Sequence, residues 1–352
     1  MYNFLKKIYY KYINYSDNIR YYGKYKGSFN KLRSFFWNFF HFKRISIRFK
    51  YNALFFNSPK KSNLKKKLLA VKPSENNDII SDEIFLNKID DLFKNGGVVI
   101  ENFFSPDVIN NFLEKNKKYI VDAYKIESSP YNNAKMEIVN LSNELIKIWL
   151  NDKIIFIMET FFNSKMYARN YPHIGITKID KKFTSKEKFL HNIEVGKTAD
   201  DWHVDHSTLF NFHVILEDLT IDEPHMEYAE KSHLYFNSTS PYSQEEIDSK
   251  KFKIKKCIGK KGTVYLHYGN TLHRLNLIPS KKIRSVLHLE FTPGANLLLD
   301  TNNIVKSLKD GFNLDNLDFK KREILSGIYP LKLSKGYEYQ NNIFKPNKYK
   351  GI

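Results

Sequence analysis

Between residues 165 and 295 the chain breaks into short runs, "KMYARNY", "HIGITKI", "FNFHVILEDL", "GTVYLHYG" and "IRSVLHLEFTPG", each alternating or β-rich and each bounded by turn residues. Several strands of that length at close intervals build a sandwich, a barrel or a jelly roll. Upstream the signals change. Apolar positions at Ile84, Phe85, Ile89, Leu92 and Phe93 predict a helix closed by Gly96-Gly97, and "VVIENF" then predicts a short strand. "SPDVINNFLEKNKKYI" predicts a helix with Ser105 as N-cap and Pro106 at the first helical position, and a further helix is predicted from about Ser142 to Phe162. No fixed-period repeat interrupts this order, so the expectation is a compact α+β domain.

The 352 residues suffice for one large domain or two modest ones. Of the net charge of +19, residues 1–74 carry +17, because 18 Lys or Arg face the single acid Asp17 there; the remaining 278 residues hold 39 basic and 37 acidic side chains. The basicity therefore belongs to an N-terminal extension. Within it Leu5, Ile8, Tyr9 and Tyr12 share one helical face opposite Lys6, Lys7 and Lys11, and Leu32, Phe35, Phe36, Phe39 and Phe40 repeat the pattern. Such stretches either lie on an anionic membrane surface or pack on the main domain with a solvated basic face. The near-neutral remainder argues against nucleic acid as the partner.

Ser58 to Asn77, with "SPKKSNLKKKLL", reads as a linker, which divides the chain into a basic aromatic extension (1–77), a main domain (78–300) and a C-terminal cap or tail (301–352). A lone cysteine, Cys257, excludes an intramolecular disulfide. No apolar signal-type segment opens the chain and no 18-residue apolar run occurs in it, so a reducing, cytoplasmic setting is expected.

Ten of the eleven histidines fall between His173 and His288, so choosing among them needs geometry. In "DDWHVDHS", strand alternation puts His203 and Asp205 on one side about 7 Å apart, from a rise of roughly 3.3 Å per residue. An imidazole and a carboxylate on one face supply two of the three ligands of a facial triad for non-haem Fe(II). The third has to come from a distant strand, and His273 in "GNTLHRLNL" is the leading candidate. A triad leaves metal positions open for the keto and carboxylate oxygens of 2-oxoglutarate and for O2. The far carboxylate of that co-substrate calls for a rigid bidentate donor, and Arg284 stands eleven residues after His273 on the next predicted strand.

Around these four, Trp202 is expected to pack the wall, Asp200 and Asp201 to form a turn, and His206 to be a neighbour of the ligands. His213, His267 and His288 are read as core or cavity-facing, Asn211 and Tyr265 as pocket-lining, and Glu227 and Tyr228 as candidate substrate contacts.

The stretch resembles the Fe(II)/2-oxoglutarate dioxygenases of the phytanoyl-CoA dioxygenase family. The matching pieces are "WHVDHS", "LEDLTIDEPHMEYAEKSH", "GKKGTVYLHYGNTLHRLNLIPSKKIRSVLHLEF" and, upstream, "LFKNGGVVIENFFSPDVINNFLE", in order over roughly residues 80 to 295. The resemblance implies a double-stranded β-helix, a jelly-roll, cupin-like core with flanking helices, with His203, Asp205 and His273 on iron and Arg284 on 2-oxoglutarate. It implies decarboxylation of 2-oxoglutarate to succinate and CO2 coupled to hydroxylation of a C–H bond in a small-molecule, acyl, lipid-linked or sugar-containing metabolite. Asp205 favours hydroxylation, since related halogenases lack that carboxylate. Two pieces depart from the family pattern: Asp222-Glu223-Pro224 replaces its Asn-Gly-Pro, and Glu230-Lys231-Ser232-His233 replaces its Pro-Gly-Ser-His. The competing expectation, a non-catalytic jelly roll that grips lipid or nucleic acid through its extension, does not call for all four site residues to be present.

Overall fold

The computed structural model describes residues 61–70, 78–118, 131–138, 142–162, 165–169, 172–179, 202–205, 209–235, 242–280, 282–293, 317–325, 337–340 and 343–346. The two basic amphipathic stretches, Asp200, Asp201 and His206 lie outside them.

Helix α1 (Lys61–Ala70) occupies the stretch that composition marks as a linker. Its Leu64 and Leu68, four residues apart, are buried in the main core, so two leucines among the lysines suffice to dock it. Helix α2 (Asp82–Asn95) starts where the Ser81 side chain accepts the Ile84 N–H and ends at Gly96, whose φ of 77° is the left-handed cap glycine permits. Strand β1 (Gly97–Ile100) follows. Helix α3 (Pro106–Lys115) is capped by Ser105, as its sequence predicts.

The single helix expected over Ser142–Phe162 is two, α4 (Asn143–Trp149) and α5 (Asp152–Phe162). Asn151 makes the break: its side-chain oxygen accepts the N–H groups of Lys153 at 3.0 Å and Ile154 at 3.2 Å, capping a new helix instead of continuing the old one.

The remaining strands are β2 (Tyr131–Glu137), β3 (Met166–Ala168), β4 (His173–Ile179), β5 (Phe210–Ile215), β6 (His225–Ala229), β7 (Ile254–Cys257), β8 (Val264–Tyr268), β9 (His273–Asn276) and β10 (Arg284–Pro293). A large antiparallel sheet runs β1-β8-β5-β10-β4-β2, with β3 also on β10. A smaller antiparallel sheet runs β7-β6-β9. Residues 202–205 extend it, through the reciprocal backbone pair of His203 and His273 at 3.0 and 2.9 Å and the Asp205 N–H to Gly269 carbonyl bond at 2.7 Å. In chain order, β4, residues 202–205, β5, β6, β7, β8, β9 and β10 thus distribute as β4-β10-β5-β8 in one sheet and 202–205, β9, β6, β7 in the other. That order is an eight-stranded jelly roll, the double-stranded β-helix.

Two-residue alternation divides each strand between two environments. Phe210, Phe212 and Val214 of β5, Leu266 of β8, Leu287 and Leu289 of β10 and Ile174 and Ile176 of β4 join one core with Phe93, Trp149, Ile157 and Phe161 of the helices. Their neighbours face between the sheets, where Ile215, Met226, Tyr228, Tyr265 and Val286 form a second, smaller cluster. Outside the small sheet, Trp202, Val204 and Leu272 pack with Tyr242 and with Ile247 of helix α6 (Gln244–Ser249). The Trp202 indole donates to Gln244 at 3.0 Å, so it belongs to the wall, as expected.

Helix α7 (Phe319–Leu325) lies on the helical side: Ile324 and Leu325 are buried in the main core, and Lys320 reaches Glu159 of α5 at 2.8 Å. Further on, β11 (Tyr337–Gln340) and β12 (Ile343–Pro346) pair as an antiparallel ribbon. Among the described residues no helix is long and apolar enough to cross a membrane.

Candidate metal centre

The three sequence-predicted ligands meet. One nitrogen from each of His203 and His273 and one carboxylate oxygen of Asp205 all lie within 4.8 Å of one another, and among the described residues no other group of His, Cys, Asp and Glu does so. Nearly seventy residues of chain separate Asp205 from His273, and the local cause of their approach is the backbone pairing of residue 203 with residue 273. The His273 Nε2 lies 3.4 Å from Asp205 Oδ2, and the two imidazole rings are 4.3 Å apart. Both histidines are buried and the carboxylate is half-buried.

Neighbouring groups fix these ligands. The His273 Nδ1 donates to the Thr271 carbonyl at 2.9 Å, which leaves Nε2 as a lone-pair donor toward the centre. The Asn211 amide donates to Asp205 Oδ2 at 2.8 Å and holds the carboxylate in place. Two imidazoles and a carboxylate are a donor set suited to a divalent first-row metal, and a three-ligand face leaves room for exogenous ligands. The residues fit such an ion.

Deeper between the sheets lies Arg284, 3% exposed. Its guanidinium donates to the Tyr265 hydroxyl at 2.9 Å and, at 3.4 Å, to Thr177 Oγ1. Its Nε has no hydrogen-bond partner and no carboxylate pairs with it among the described residues. Charges are almost never buried unpaired without a reason, so this cation is suited to an anionic ligand.

Between Arg284 and the ligands runs a wall of rings. Cross-strand register sets His173, His288, His213 and Tyr265 side by side on β4, β10, β5 and β8, all facing inward. His173 and His288 stack at 4.8 Å, and a Cβ on Gly175 would lie 2.5 Å from His288 Nε2, so a side chain there would displace that ring. His213 stacks on Tyr265 at 4.5 Å and its Nε2 lies 3.3 Å from His267 Nε2. Burial pushes both imidazoles well below their usual range; the Arg284 charge adds to it at His213, whereas the Asp205 charge and a hydrogen bond with the Tyr268 backbone oppose it at His267. Burial likewise raises the Tyr265 phenol to about 12, although Arg284 opposes it.

Glu227 does not face this interior. It lies on the outer face of the small sheet, where Arg274 Nε and NH2 reach its Oε2 at 3.0 and 2.9 Å and Asn276 reaches Oε1 at 3.1 Å. Burial opposes its ionisation, but hydrogen bonds from His225, Arg274 and Asn276 and the Arg274 charge outweigh that and hold it at about 2. The expectation of a substrate contact is corrected: β6 has one inward phase, and Tyr228, paired with His273, occupies it. Tyr228 itself donates to the Gly97 carbonyl at 2.9 Å and so closes the barrel wall.

The loops 220–223 and 230–233 are both tied into the fold by hydrogen bonds. Lys231 takes a left-handed φ of 65°, a conformation glycine adopts more readily. Ser232 Oγ accepts the Leu272 N–H at 2.8 Å, and His233 Nε2 meets the Phe93 carbonyl at 3.1 Å, which fastens the loop to α2. Glu223 accepts from the Thr220 N–H at 2.6 Å and from the Thr220 hydroxyl, and so shapes the turn before β6. Sequence reasoning missed Thr177 and Thr271. Thr177 stands in phase with His173 in "HIGITKI", a signal that becomes readable only once strand register is known.

The fold and the site together define a class of structure: a jelly-roll barrel with a His-Asp-His face and a buried arginine between its sheets. No protein-family model matches the chain, and no curated protein matches it. Among solved structures, the non-heme alpha ketoglutarate dependent epimerase SnoN from nogalamycin biosynthesis gives a TM-score of 0.45 and 10% identity, covering 60% of this chain and 84% of that one. The carbocyclase SnoK from the same biosynthesis gives 0.45 and 14%, covering 61% and 85%. EctD from S. alaskensis, with 2-oxoglutarate and 5-hydroxyectoine, gives 0.44 and 15%, covering 67% and 82%.

Proposed function

We propose that the chain is an Fe(II)- and 2-oxoglutarate-dependent dioxygenase of the phytanoyl-CoA dioxygenase type, hydroxylating a C–H bond of a small-molecule, acyl, lipid-linked or sugar-containing metabolite. The observation that carries the reading is the buried, acid-free Arg284 guanidinium in the same interior as the converging His203, Asp205 and His273 donors. His203, Asp205 and His273 would hold the iron, and Arg284 with Tyr265 would hold the far carboxylate of the co-substrate. Bound together, iron, 2-oxoglutarate and O2 supply the oxidation, with succinate and CO2 released. The chain's own contribution is to orient: Thr271 sets the His273 ring, Asn211 sets the Asp205 carboxylate, and the apolar cluster around Val286 and Ile215 keeps water from the buried cation.

Anaerobic titration of the protein with Fe(II) and 2-oxoglutarate tests this by the weak visible charge-transfer band of the chelate, followed by succinate release in air. The wild type is expected to give both and His203→Ala neither. An unchanged band in His203→Ala, or none in the wild type, refutes the assignment.

The basic extension supports a refinement: a cytoplasmic enzyme whose residues 1–74 rest on an anionic membrane surface, presenting the barrel to a lipid-like substrate. Co-sedimentation with anionic vesicles, comparing the full chain with one lacking residues 1–74, is expected to show binding by the full chain alone. Equal pelleting removes the refinement.

A further inference from the structure

The interior has a closed end and an open end, with the metal donors between them. Along β10 the inward phase runs Arg284, Val286, His288, Glu290 and Thr292. The first two are buried, whereas the last three are partly exposed, although Leu289 and Phe291 on the helix-covered face of the same stretch are buried. Glu290 pairs with Asn211, whose amide holds Asp205, and the Asp205 side chain is 21% exposed. Solvent, and so a substrate, reaches the metal donors from this end.

Strand β3 carries a second arginine to that opening. Its Met166 and Ala168 are buried in the main core, which puts Tyr167, paired with Thr292, on the opposite, inner face. The pairing continues one residue beyond the strand: the Arg169 N–H donates to the Glu290 carbonyl at 2.9 Å, so Arg169 is in phase with Tyr167 and shares a row with Glu290 and Asn211. Two strand spacings, about 10 Å, separate its backbone from that of Asn211. Arg169 is partly exposed, and among the described residues no acid pairs with its guanidinium, the adjacent Glu290 included. A lone cation this close to a divalent ion is repelled by it, whereas an anion between the two is attracted by both.

We infer that Arg169 anchors the substrate to be oxidised, and that this substrate carries a carboxylate or phosphate group, held by the guanidinium at the open end with the reacting C–H bond directed toward the metal. This rests on the proposed dioxygenase reading and narrows its substrate class. A plain acyl chain or a neutral sugar gives the guanidinium nothing to hold, whereas a planar fork of donors matches two oxygens of a carboxylate or phosphate. The two arginines then sort two anions by depth, the co-substrate at the closed end on Arg284 and the substrate at the open end on Arg169.

Mn(II) in place of Fe(II) speeds the magnetic relaxation of nearby ligand nuclei, so a small probe reports both its binding and its distance from the centre. The probes are phenyl phosphate and benzoate, with benzamide as the neutral control, and saturating 2-oxoglutarate keeps them from Arg284. The wild type is expected to bind both anions at one site with the phosphorus or carboxyl carbon within about 10 Å of the metal, from the two strand spacings. Benzamide should bind about tenfold more weakly or worse, the equivalent of one hydrogen bond to a charged group. Arg169→Gln should weaken both anions by about the same factor and leave Mn(II) affinity, 2-oxoglutarate affinity and Tm near wild type. Lys165→Gln, which removes an exposed cation four residues earlier, should change none of these, separating the guanidinium from net charge. Whichever anion binds more tightly names the group the substrate carries. The inference is overturned if neither anion binds the wild type, if they bind farther from the metal, or if Arg169→Gln binds them as well as the wild type does. An equal loss in Lys165→Gln overturns it too. A wild type that takes up no 2-oxoglutarate refutes the dioxygenase reading instead, and phenyl phosphate added to the Mn(II) protein alone then still shows whether Arg169 holds an anion beside the metal donors.

Discussion

Replacing Arg284 with methionine should stabilise the ligand-free protein while abolishing its response to 2-oxoglutarate. The side chain is 3% exposed, and among the described residues its charge meets no carboxylate and its hydrogen bonds are to the Tyr265 hydroxyl at 2.9 Å and, more weakly, to Thr177 at 3.4 Å. Desolvating such an ion costs several kcal/mol, and two bonds to neutral oxygens return about 1.5–3 kcal/mol for the good one and less for the long one. Methionine keeps most of the volume and can lie against Val286 and Ile215, so the exchange should gain about 1–3 kcal/mol even after Tyr265 loses its partner. For a domain of this size that is a rise of roughly 2–10 °C in Tm. In the wild type, 2-oxoglutarate at about a hundred times its Kd with metal present should add about 2.7 kcal/mol of its own, and the variant should show no such increment. Thermal unfolding of metal-free and loaded protein, with and without the diacid, measures both effects. If Arg284→Met lowers Tm in the metal-free state by the equivalent of more than about 1 kcal/mol, the guanidinium is a structural cation and the reasoning fails.

Three further outcomes follow from single contacts. Asn211→Ala, removing the 2.8 Å bond to Asp205, should weaken Fe(II) binding about 10- to 100-fold with little loss of stability, read by metal titration against thermal unfolding. Glu227, held at about 2 against an ordinary 4.5, has a depressed folded-state pKa. Its contribution is therefore fully present above pH 4.5 and lost as pH falls from there toward 2; the loss should be about 3 kcal/mol and absent from Glu227→Gln, as read by denaturant unfolding across that window. Lys231→Gly, at φ 65°, should raise stability by up to about 1 kcal/mol, because the left-handed conformation costs a side-chain-bearing residue that much; an unchanged or lower midpoint would mean the lysine side chain has a role of its own.

What the sequence disclosed depended on whether the signal was local. Caps at Ser105 and Gly96 are written in three or four adjacent residues, and both stand where they were expected. The metal set was legible because His203 and Asp205 are two apart on an extended segment and the remaining candidate, His273, comes with an arginine eleven residues on. Glu227 misled because the phase of β6 is set by its pairing with β9, a register no single strand announces. The division of residues 142–162 was hidden for a related reason: apolar spacing runs through Leu150 and Asn151 without a gap, and only the asparagine side chain's capping of Lys153 and Ile154 decides for two helices. The docking of residues 61–70 rests on two leucines whose burial depends on a partner surface far along the chain.

Register also explains how stability and chemistry share the same strands without competing. On β5, Phe210, Phe212 and Val214 serve the core beneath the helices while Asn211 and His213 serve the interior; on β10, Leu287 and Leu289 alternate with Arg284, Val286 and His288. A shift of one residue in either strand would bury Asn211, His213 and Arg284 under the helices and turn phenylalanines and leucines toward the metal, a loss on both faces at once. The outer face, with its dense aromatic contacts such as Phe161 on Phe210 at 5.7 Å, therefore locks the register that the inner face needs. Polar groups whose burial costs stability can then be tolerated inside, because the alternate residues of the same strands supply the packing that holds them there.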